Sequence, residues 1–167
     1  MQQRRPSMAK SKYGVFEGEL FYARVFKDNM DDSEYHEKTS GQFNVMFVPK
    51  DSDEINRMVA MGFPETAMGN QMIKPIDAAE GRMGMKLKRP NIHPSNIEDF
   101  GGAPAVTKGT TNTKWDFVED GALGNGTKAK VKLSIYGEGS TASVRLEKLG
   151  IIEHVPYEEM ASAEDRW

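Results

Sequence analysis

The clearest chemical pattern in the sequence is a run of alternating lysines between Thr127 and Tyr136. Successive side chains of a strand point to opposite faces, so the run predicts a strand with one apolar and one cationic face. Ammonium groups on alternate residues lie about 7 Å apart, which roughly matches the phosphate spacing of an extended nucleic-acid strand. The run therefore indicates a surface suited to a polyanion. Its cationic face carries Lys128, Lys130, Lys132, Ser134 and Tyr136.

A second predicted strand, 82–89, repeats this alternation and contains no acidic residue. Proteins that bind single strands combine such cations with flat rings, each worth about 1–3 kcal/mol per stacked base. Two simpler interpretations stay open, because lysines also guard exposed sheet edges and single rings, Phe47 in particular, usually fill a core. The predicted nucleic-acid groove consists of Tyr22, Arg24, Phe47, Arg82, Lys86, Lys88, Trp115, Lys128, Lys130, Lys132, Tyr136 and Arg145.

The composition limits the classes of protein to which the chain can belong. With 167 residues, 38% hydrophobic and 28% charged, it has enough apolar residues for one core and is too polar to span a membrane. The absence of cysteine excludes disulfides, thiolate metal sites and cysteine nucleophiles. The first residues contain no apolar segment of a secretory signal, so we expect an intracellular protein.

Hydrophobic alternation predicts five or six strands and one helix. The strands cover 14–27, 41–49, 82–89, part of 105–116, 127–136 and 142–155, and the helix begins after Asp51 and ends at Gly62. Gly18 could bend the first strand, and a bulge near Lys148–Gly150 would turn the apolar residues of the last strand to one side. We therefore predict an all-β chain with one short helix, an OB-fold (a five-stranded Greek-key barrel) with long loops.

The charge distribution divides the chain into three parts. The predicted parts are a basic flexible arm (1–12), the OB-fold domain (13–156) and a short acidic tail (157–167). The net charge of −3 conceals this separation of basic strands from an acidic end. The tail could dock on a partner through Glu158, Glu159, Glu164, Asp165 and Trp167.

The motifs of catalysis and metal binding are missing from the sequence. The three histidines lie far apart, and neither a nucleophile elbow nor a phosphate-binding Gly-Lys loop occurs. The acidic segment 28–37 lacks the central glycine and closing glutamate of a calcium loop. We therefore expect no enzyme activity, no cofactor and no metal.

Two segments near the C-terminus resemble a known family. The stretch 124–136 places a Gly-rich turn before the lysine strand, and 142–156 carries a Val-x-Leu pattern followed by two apolar residues and a glutamate. Together with an acidic end that closes on an aromatic residue, this resembles the single-stranded DNA-binding proteins of tailed phages, the short-tailed-phage replication type. The tail of this chain is shorter and less acidic than is usual for that family, and the hairpin after Tyr136 is tighter.

The resemblance implies an OB-fold and a non-catalytic protein that coats single-stranded DNA in phage replication, recombination and repair. It implies tail contacts to the replicative polymerase and helicase-primase, allows a homodimer, and places the protein in the cytoplasm of an infected bacterium. It also assigns Lys128, Lys130, Lys132, Tyr136 and Arg145 to the DNA groove. Two alternatives stay open: an RNA-binding barrel, and a virion or protein-interaction barrel whose basic face is interrupted by acidic neighbours once folded.

Overall fold

The computed structural model describes residues 11–64, 73–92, 101–137 and 142–157. Within them the chain forms seven strands, one α-helix and three short 3-10 turns. The strands are β1 (Lys12–Arg24), β2 (Gln42–Pro49), β3 (Lys74–Ile76), β4 (Arg82–Pro90), β5 (Ala105–Lys108), β6 (Thr127–Tyr136) and β7 (Ser143–Glu153), and the helix is α1 (Ser52–Met61). The 3-10 turns are Lys27–Asn29, Glu34–Thr39 and Asp77–Ala79. No helix of the described residues is long and apolar enough to cross a bilayer.

The strands form one sheet in the order β3-β4-β2-β1-β6-β7-β5. Neighbours are antiparallel except β5 and β7, which are parallel. The prediction of a mostly β chain with one helix is confirmed. The described sheet has seven strands rather than five because two short strands, β3 and β5, extend its outer edges.

A buried arginine shows that the sheet curls back on itself. Three strands separate β4 from β7 in the sheet, so a flat sheet would hold them about 19 Å apart. Instead Arg89 of β4 donates to the backbone oxygen of Leu146 at 3.4 Å and to the Glu147 carboxylate at 2.9 Å, both on β7. The same guanidinium donates to the carbonyls of Gly101 and Gly102. Arg89 therefore links the two ends of the five long strands.

Alternate residues of these strands fill the interior of the curled sheet. Their side chains are at most 1% exposed, as expected where one face of each strand packs on a core. They include Phe16, Leu20, Phe43, Val45, Phe47, Met85, Leu87, Val131, Leu133, Leu146 and Leu149. A second, smaller cluster on the outer face joins Phe21 and Val48 to Ile76 and Ala79, so the segment around β3 covers part of that face.

The last strand has a bulge close to the predicted position. Lys132 pairs with Lys148 and Leu133 pairs with Leu146, which leaves Glu147 as the extra residue of β7. Val144 and Leu149 consequently both face the core despite their opposite phases in the sequence. The bulge prediction is confirmed, with the extra residue at Glu147 rather than within 148–150.

The helix begins as its capping residues predict. The Asp51 carboxylate accepts the Glu54 backbone N–H at 2.9 Å. The buried Glu54 carboxylate accepts the Glu17 N–H at 2.6 Å and pairs with Arg57 at 2.9 Å. The Arg57 hydrogen bond lowers the pKa of Glu54, with burial opposing and the Glu17 N–H assisting. The Glu54 carboxylate therefore fixes α1 against β1.

Candidate nucleic-acid interface

A groove of about 690 Å³ lies on the outer face of β2 and β4, at the end of β1. This volume is in the range of ordinary ligand sites. Its lining includes one aromatic ring and three basic side chains, Tyr22, Arg24, Lys74 and Lys86. Polar residues from the β1–β2 loop and from β2 also line it, together with two apolar residues of β2; they are Asp31, Asp32, Ser33, Asn44, Val45 and Met46. The structure thus brings three of the predicted site residues together, Tyr22, Arg24 and Lys86.

Tyr22 reaches the groove through a break in β1. Phe21 pairs with Met46 and Arg24 with Asn44, so β1 has two residues where β2 has one. Tyr22 has φ 53°, a left-handed conformation that is uncommon outside glycine. Its side chain is 61% exposed. A bulge re-aims a side chain in this way, and here it presents a ring to the groove.

The turn before β6 supports this strained residue. The Asn125 side-chain oxygen accepts the Tyr22 N–H at 2.8 Å, and Gly126 donates to the Leu20 carbonyl at 2.9 Å. Gly126 has φ 95°, which glycine adopts without strain. The Gly-Asn-Gly segment therefore holds the bulge of β1 rather than forming a phosphate loop.

The basic side chains of the groove come from neighbouring strands. Lys86 pairs with Met46 and lines the groove. Lys88, also predicted for the groove, is not among its lining residues but lies two positions along β4, paired with Asn44, which in turn pairs with Arg24. Within the described part of the chain, no carboxylate lies within ion-pair distance of Lys74, Lys86 or Lys88. Their positive charge is therefore available to an anionic ligand.

Two carboxylates, Asp31 and Asp32, form the loop side of the groove. Burial raises the pKa of Asp31, but hydrogen bonds from Ser33 and the positive charges of His36 and Arg24 outweigh it and lower the pKa below its usual value. Asp31 also pairs with His36 at 3.2 Å. This side of the groove is consequently anionic at neutral pH and repels phosphate.

The lysines of β6 lie on a different part of the sheet surface. Lys128 pairs across β1 with Glu19 and lies 3.4 Å from the Glu153 carboxylate, while Lys130 pairs with Glu17. Glu17 and Glu19 form an acidic strip along β1, between these lysines and the groove. The structure therefore separates Lys128, Lys130 and Lys132 from Lys86 and does not join them in one trough. Acidic neighbours interrupt the first half of the row, as the protein-interaction alternative expects.

Arg82 is likewise engaged outside the groove. Its two terminal nitrogens each lie 3.0 Å from a Glu19 carboxylate oxygen. This hydrogen bonding lowers the pKa of Glu19, while burial opposes it and the positive charges of Arg82 and Lys128 assist it. Arg82 therefore neutralises the acidic strip and does not line the groove.

Two predicted stacking rings have structural roles. Phe47 is 0% exposed inside the core, because its phase in β2 points inward, so its inclusion among the stacking rings is corrected. Trp115 donates its indole N–H to the Gly121 carbonyl at 2.8 Å and meets His154 edge-on, with the ring centroids 4.8 Å apart. Both rings stabilise the fold where they stand.

The remaining predicted residues lie apart from the groove. Tyr136 ends β6 and is 46% exposed. Arg145 of β7 is largely buried, with a terminal nitrogen 3.5 Å from Glu147. The tail residues Glu158, Glu159, Glu164, Asp165 and Trp167 lie outside the described residues.

Sequence reasoning missed Lys74, Asn44 and the acidic side of the groove. Asn44 had a signal, because Phe43, Val45 and Phe47 face inward and the alternate residues of β2 must then face outward. Lys74 lies in a segment without clear alternation. Among the described residues, no three His, Asp or Glu side chains are grouped so that they could hold a metal ion.

The fold is similar to that of a protein of known structure. It is the single-stranded DNA-binding protein from bacteriophage Enc34, in a C-terminally truncated form. The TM-score is 0.52 at 10% sequence identity, over 89% of this chain and 88% of the other. Neither a protein-family model nor a curated protein sequence matches the chain. At this identity the similarity establishes a common fold.

Proposed function

We propose that the protein is a non-catalytic single-stranded DNA-binding protein built on an OB barrel. The strand order β4-β2-β1-β6-β7, with β4 and β7 linked by Arg89, is what a closed five-stranded barrel requires. OB barrels bind oligonucleotides on the face of their second and third strands. In this chain those strands are β2 and β4. The observation that carries the proposal is the groove on that face, where an exposed ring stands beside two lysines, Lys74 and Lys86, that have no ion-pair partner among the described residues.

Binding combines charge neutralisation with stacking. Lys74, Lys86 and Arg24 meet phosphates and release the counterions condensed on the strand, so affinity falls as salt rises. Tyr22 offers one flat face to a base, and stacking is tolerant of sequence because every base has such a face. Asp31 and Asp32 keep phosphates away from the loop side, so we expect the backbone to follow β4 and the bases to turn toward Tyr22.

The biological setting follows the structural neighbour. The Enc34 protein is named as single-stranded DNA-binding and comes from a phage. On that basis we propose that this protein coats single-stranded DNA during phage DNA replication, recombination and repair in the cytoplasm of the infected bacterium. Contacts of the tail with the polymerase and helicase-primase, and a homodimer, belong to the same proposal.

One alternative has a structural observation in its favour. The interrupted lysine row of Lys128 and Lys130 suits a protein-interaction barrel whose lysines only solubilise it. That alternative leaves Lys74 and Lys86, which line the groove with Tyr22, without a role. It predicts that the protein binds no nucleic acid even at low salt.

The test is a fluorescence-anisotropy titration of a labelled eight-nucleotide oligo-dT at several salt concentrations. Two to four phosphate contacts predict a slope of log K against log salt between about −1.4 and −2.8. A matched RNA strand separates DNA from RNA preference, because only RNA carries the 2′-hydroxyl. The control variant Lys108→Gln/Lys114→Gln removes two exposed charges near β5 and should bind normally. Absence of binding at low salt would contradict the proposal.

A further inference from the structure

Beyond the acidic strip, the sheet carries a second group of outward-facing cations and rings. In the strand register Lys132 of β6 lies between Val15 of β1 and Lys148 of β7. Like charges directly opposite each other on neighbouring strands destabilise a sheet. Within the described residues no carboxylate pairs with either lysine. An anion lying across this position would remove the repulsion.

An exposed ring lies beside Lys132, and a second one ends the same strand. The Lys132 ammonium is 5.5 Å from the centroid of the Tyr13 ring. Tyr13 is 56% exposed, Val15 45% and Tyr136 46%, all on the outer face. Exposed apolar side chains grouped in this way mark interaction surfaces. We call this surface the Lys132 face, defined by Tyr13, Val15, Lys132, Tyr136 and Lys148.

The chemistry of the Lys132 face suits a single nucleic-acid strand. Cations that meet phosphates and flat rings that meet bases are the two components of such a site, and both occur here within one patch. An acidic peptide would use the lysines but would gain less from flat rings open to solvent. The strip between this face and the groove is close to neutral, since Arg82 pairs with Glu19 and Lys130 lies opposite Glu17.

We propose that a single DNA strand which fills the groove continues across the strip onto the Lys132 face, so that one molecule holds the strand at two separate places. This proposal rests on the function proposed above. Tyr22 and Tyr13 lie near opposite ends of β1, nine residues or at most about 30 Å apart. At the spacing of about 7 Å between the phosphates of an extended strand, that span takes roughly four nucleotides. A four-nucleotide strand bound in the groove therefore does not also cover the Lys132 face, and a twenty-nucleotide strand reaches both surfaces.

The experiment compares oligo-dT of four and twenty nucleotides on the unmodified protein and on Lys132→Gln/Lys148→Gln, with DNA in excess so that each strand holds one molecule. Loss of two phosphate contacts at about 0.7 decade each predicts an affinity about 25-fold lower for the long strand at 0.1 M salt. The short strand should bind within twofold of the unmodified protein. Tyr13→Ala should weaken only the long strand, and Lys108→Gln/Lys114→Gln should weaken neither.

Each possible result of this experiment leads to a different conclusion. Unchanged affinity for the long strand would overturn the proposal and leave the Lys132 face to a protein partner. Equal losses for both lengths would also overturn it, because the two surfaces would then act as one site. If the unmodified protein failed to bind the four-nucleotide strand, the groove assignment would fall and this proposal with it. A longer strand offers more positions at which the protein can bind, which raises the apparent affinity by the same factor for every variant. That factor therefore cancels in the comparison.

Discussion

The groove on β2 and β4 and the lysine row of β6 look equivalent in sequence but differ in their surroundings. Both derive from strands in which basic and apolar residues alternate. In the groove, Lys74 and Lys86 have no ion-pair partner among the described residues, and a strained tyrosine stands beside them. On β6, Lys128 and Lys130 face the carboxylates of Glu19 and Glu17. The difference shows that a basic strand becomes a binding surface only where its neighbours leave the charge uncompensated.

The largest expected effect concerns Arg89, which joins β4 to β7 and so holds both regions on one curled sheet. Arg89→Ala removes a buried guanidinium that joins β4 to β7 and leaves Glu147 and three carbonyls short of a donor. Breaking a buried ion pair of this kind costs about 3–5 kcal/mol. Urea unfolding should therefore show a free energy of unfolding lower by about 3 kcal/mol.

The matched control lies on the same strand. Arg82 forms an equally short pair with Glu19, but both side chains are partly exposed to water. Exposed pairs contribute at most about 1 kcal/mol, so Arg82→Ala should change the free energy of unfolding by less than that. Similar losses for the two variants would show that Arg89 does not close the sheet.

The second-largest expected effect concerns Tyr22, the exposed ring of the groove. The first lysines of β6, Lys128 and Lys130, are not described with such a ring beside them. Tyr22→Ala removes the exposed ring at the bulge, and one lost stack should weaken binding of a four-nucleotide strand about tenfold. The slope of affinity against salt should stay the same because no charge is lost. Anisotropy titration measures both quantities.

Two further tyrosine variants make this result specific. Tyr22→Phe keeps a flat ring and should bind like the unmodified protein. Tyr136→Ala removes an exposed ring of β6, away from the groove, and should not affect the short strand. A lower salt slope in Tyr22→Ala would mean that the ring acts by positioning a cation rather than by stacking.

The smallest effect comes from the acidic side of the groove. Asp31→Asn keeps the side-chain oxygen that accepts the Ser33 N–H but removes a negative charge beside the path of the strand. One unit charge at about 4 Å in water is worth about 1 kcal/mol, so affinity should rise about three- to fivefold. Weaker binding in this variant would contradict a repulsive role for Asp31.

The pH dependence of this gain follows from the lowered pKa of Asp31. The contacts that lower it, chiefly the Ser33 hydrogen bonds acting against burial, favour the charged form. Their stabilisation is complete above the ordinary value of 3.8 and is lost as the pH falls through the lower folded value. The difference between Asp31→Asn and the unmodified protein should therefore be constant from pH 5 to 8.

Six of the seven described strands were predictable because their signals are local, whereas β3 has only three residues and no alternation. The alternation of β6 predicts Thr127–Tyr136, and the cap at Asp51 predicts the start of α1, as the structure has them. Part of the groove was accessible in the same way, through the outward phase of Lys86. Its loop side was not, because Asp31 and Asp32 lie in a segment without a repeating pattern.

The surroundings of the lysines were not predictable because they depend on pairing between distant segments. Glu19 and Lys128 are 109 positions apart in the chain, and only the register of β1 against β6 places them opposite each other. Likewise, the residues next to Tyr22 do not predict its left-handed backbone. The residue that supports it, Asn125, lies 103 positions further along the chain. Strand periodicity predicts on which face of the sheet a side chain lies, but not which side chains lie next to it on that face.

The most direct test of the account removes two positive charges from each region in turn and compares the effects on binding. Salt-dependent anisotropy titrations with four-nucleotide oligo-dT would compare Lys74→Gln/Lys86→Gln with Lys128→Gln/Lys130→Gln, two variants with the same net charge. The groove variant should lose about 1.4 from the salt slope and about 25-fold in affinity at 0.1 M salt, and the β6 variant less than twofold. A larger loss in the β6 variant than in the groove variant would contradict the account.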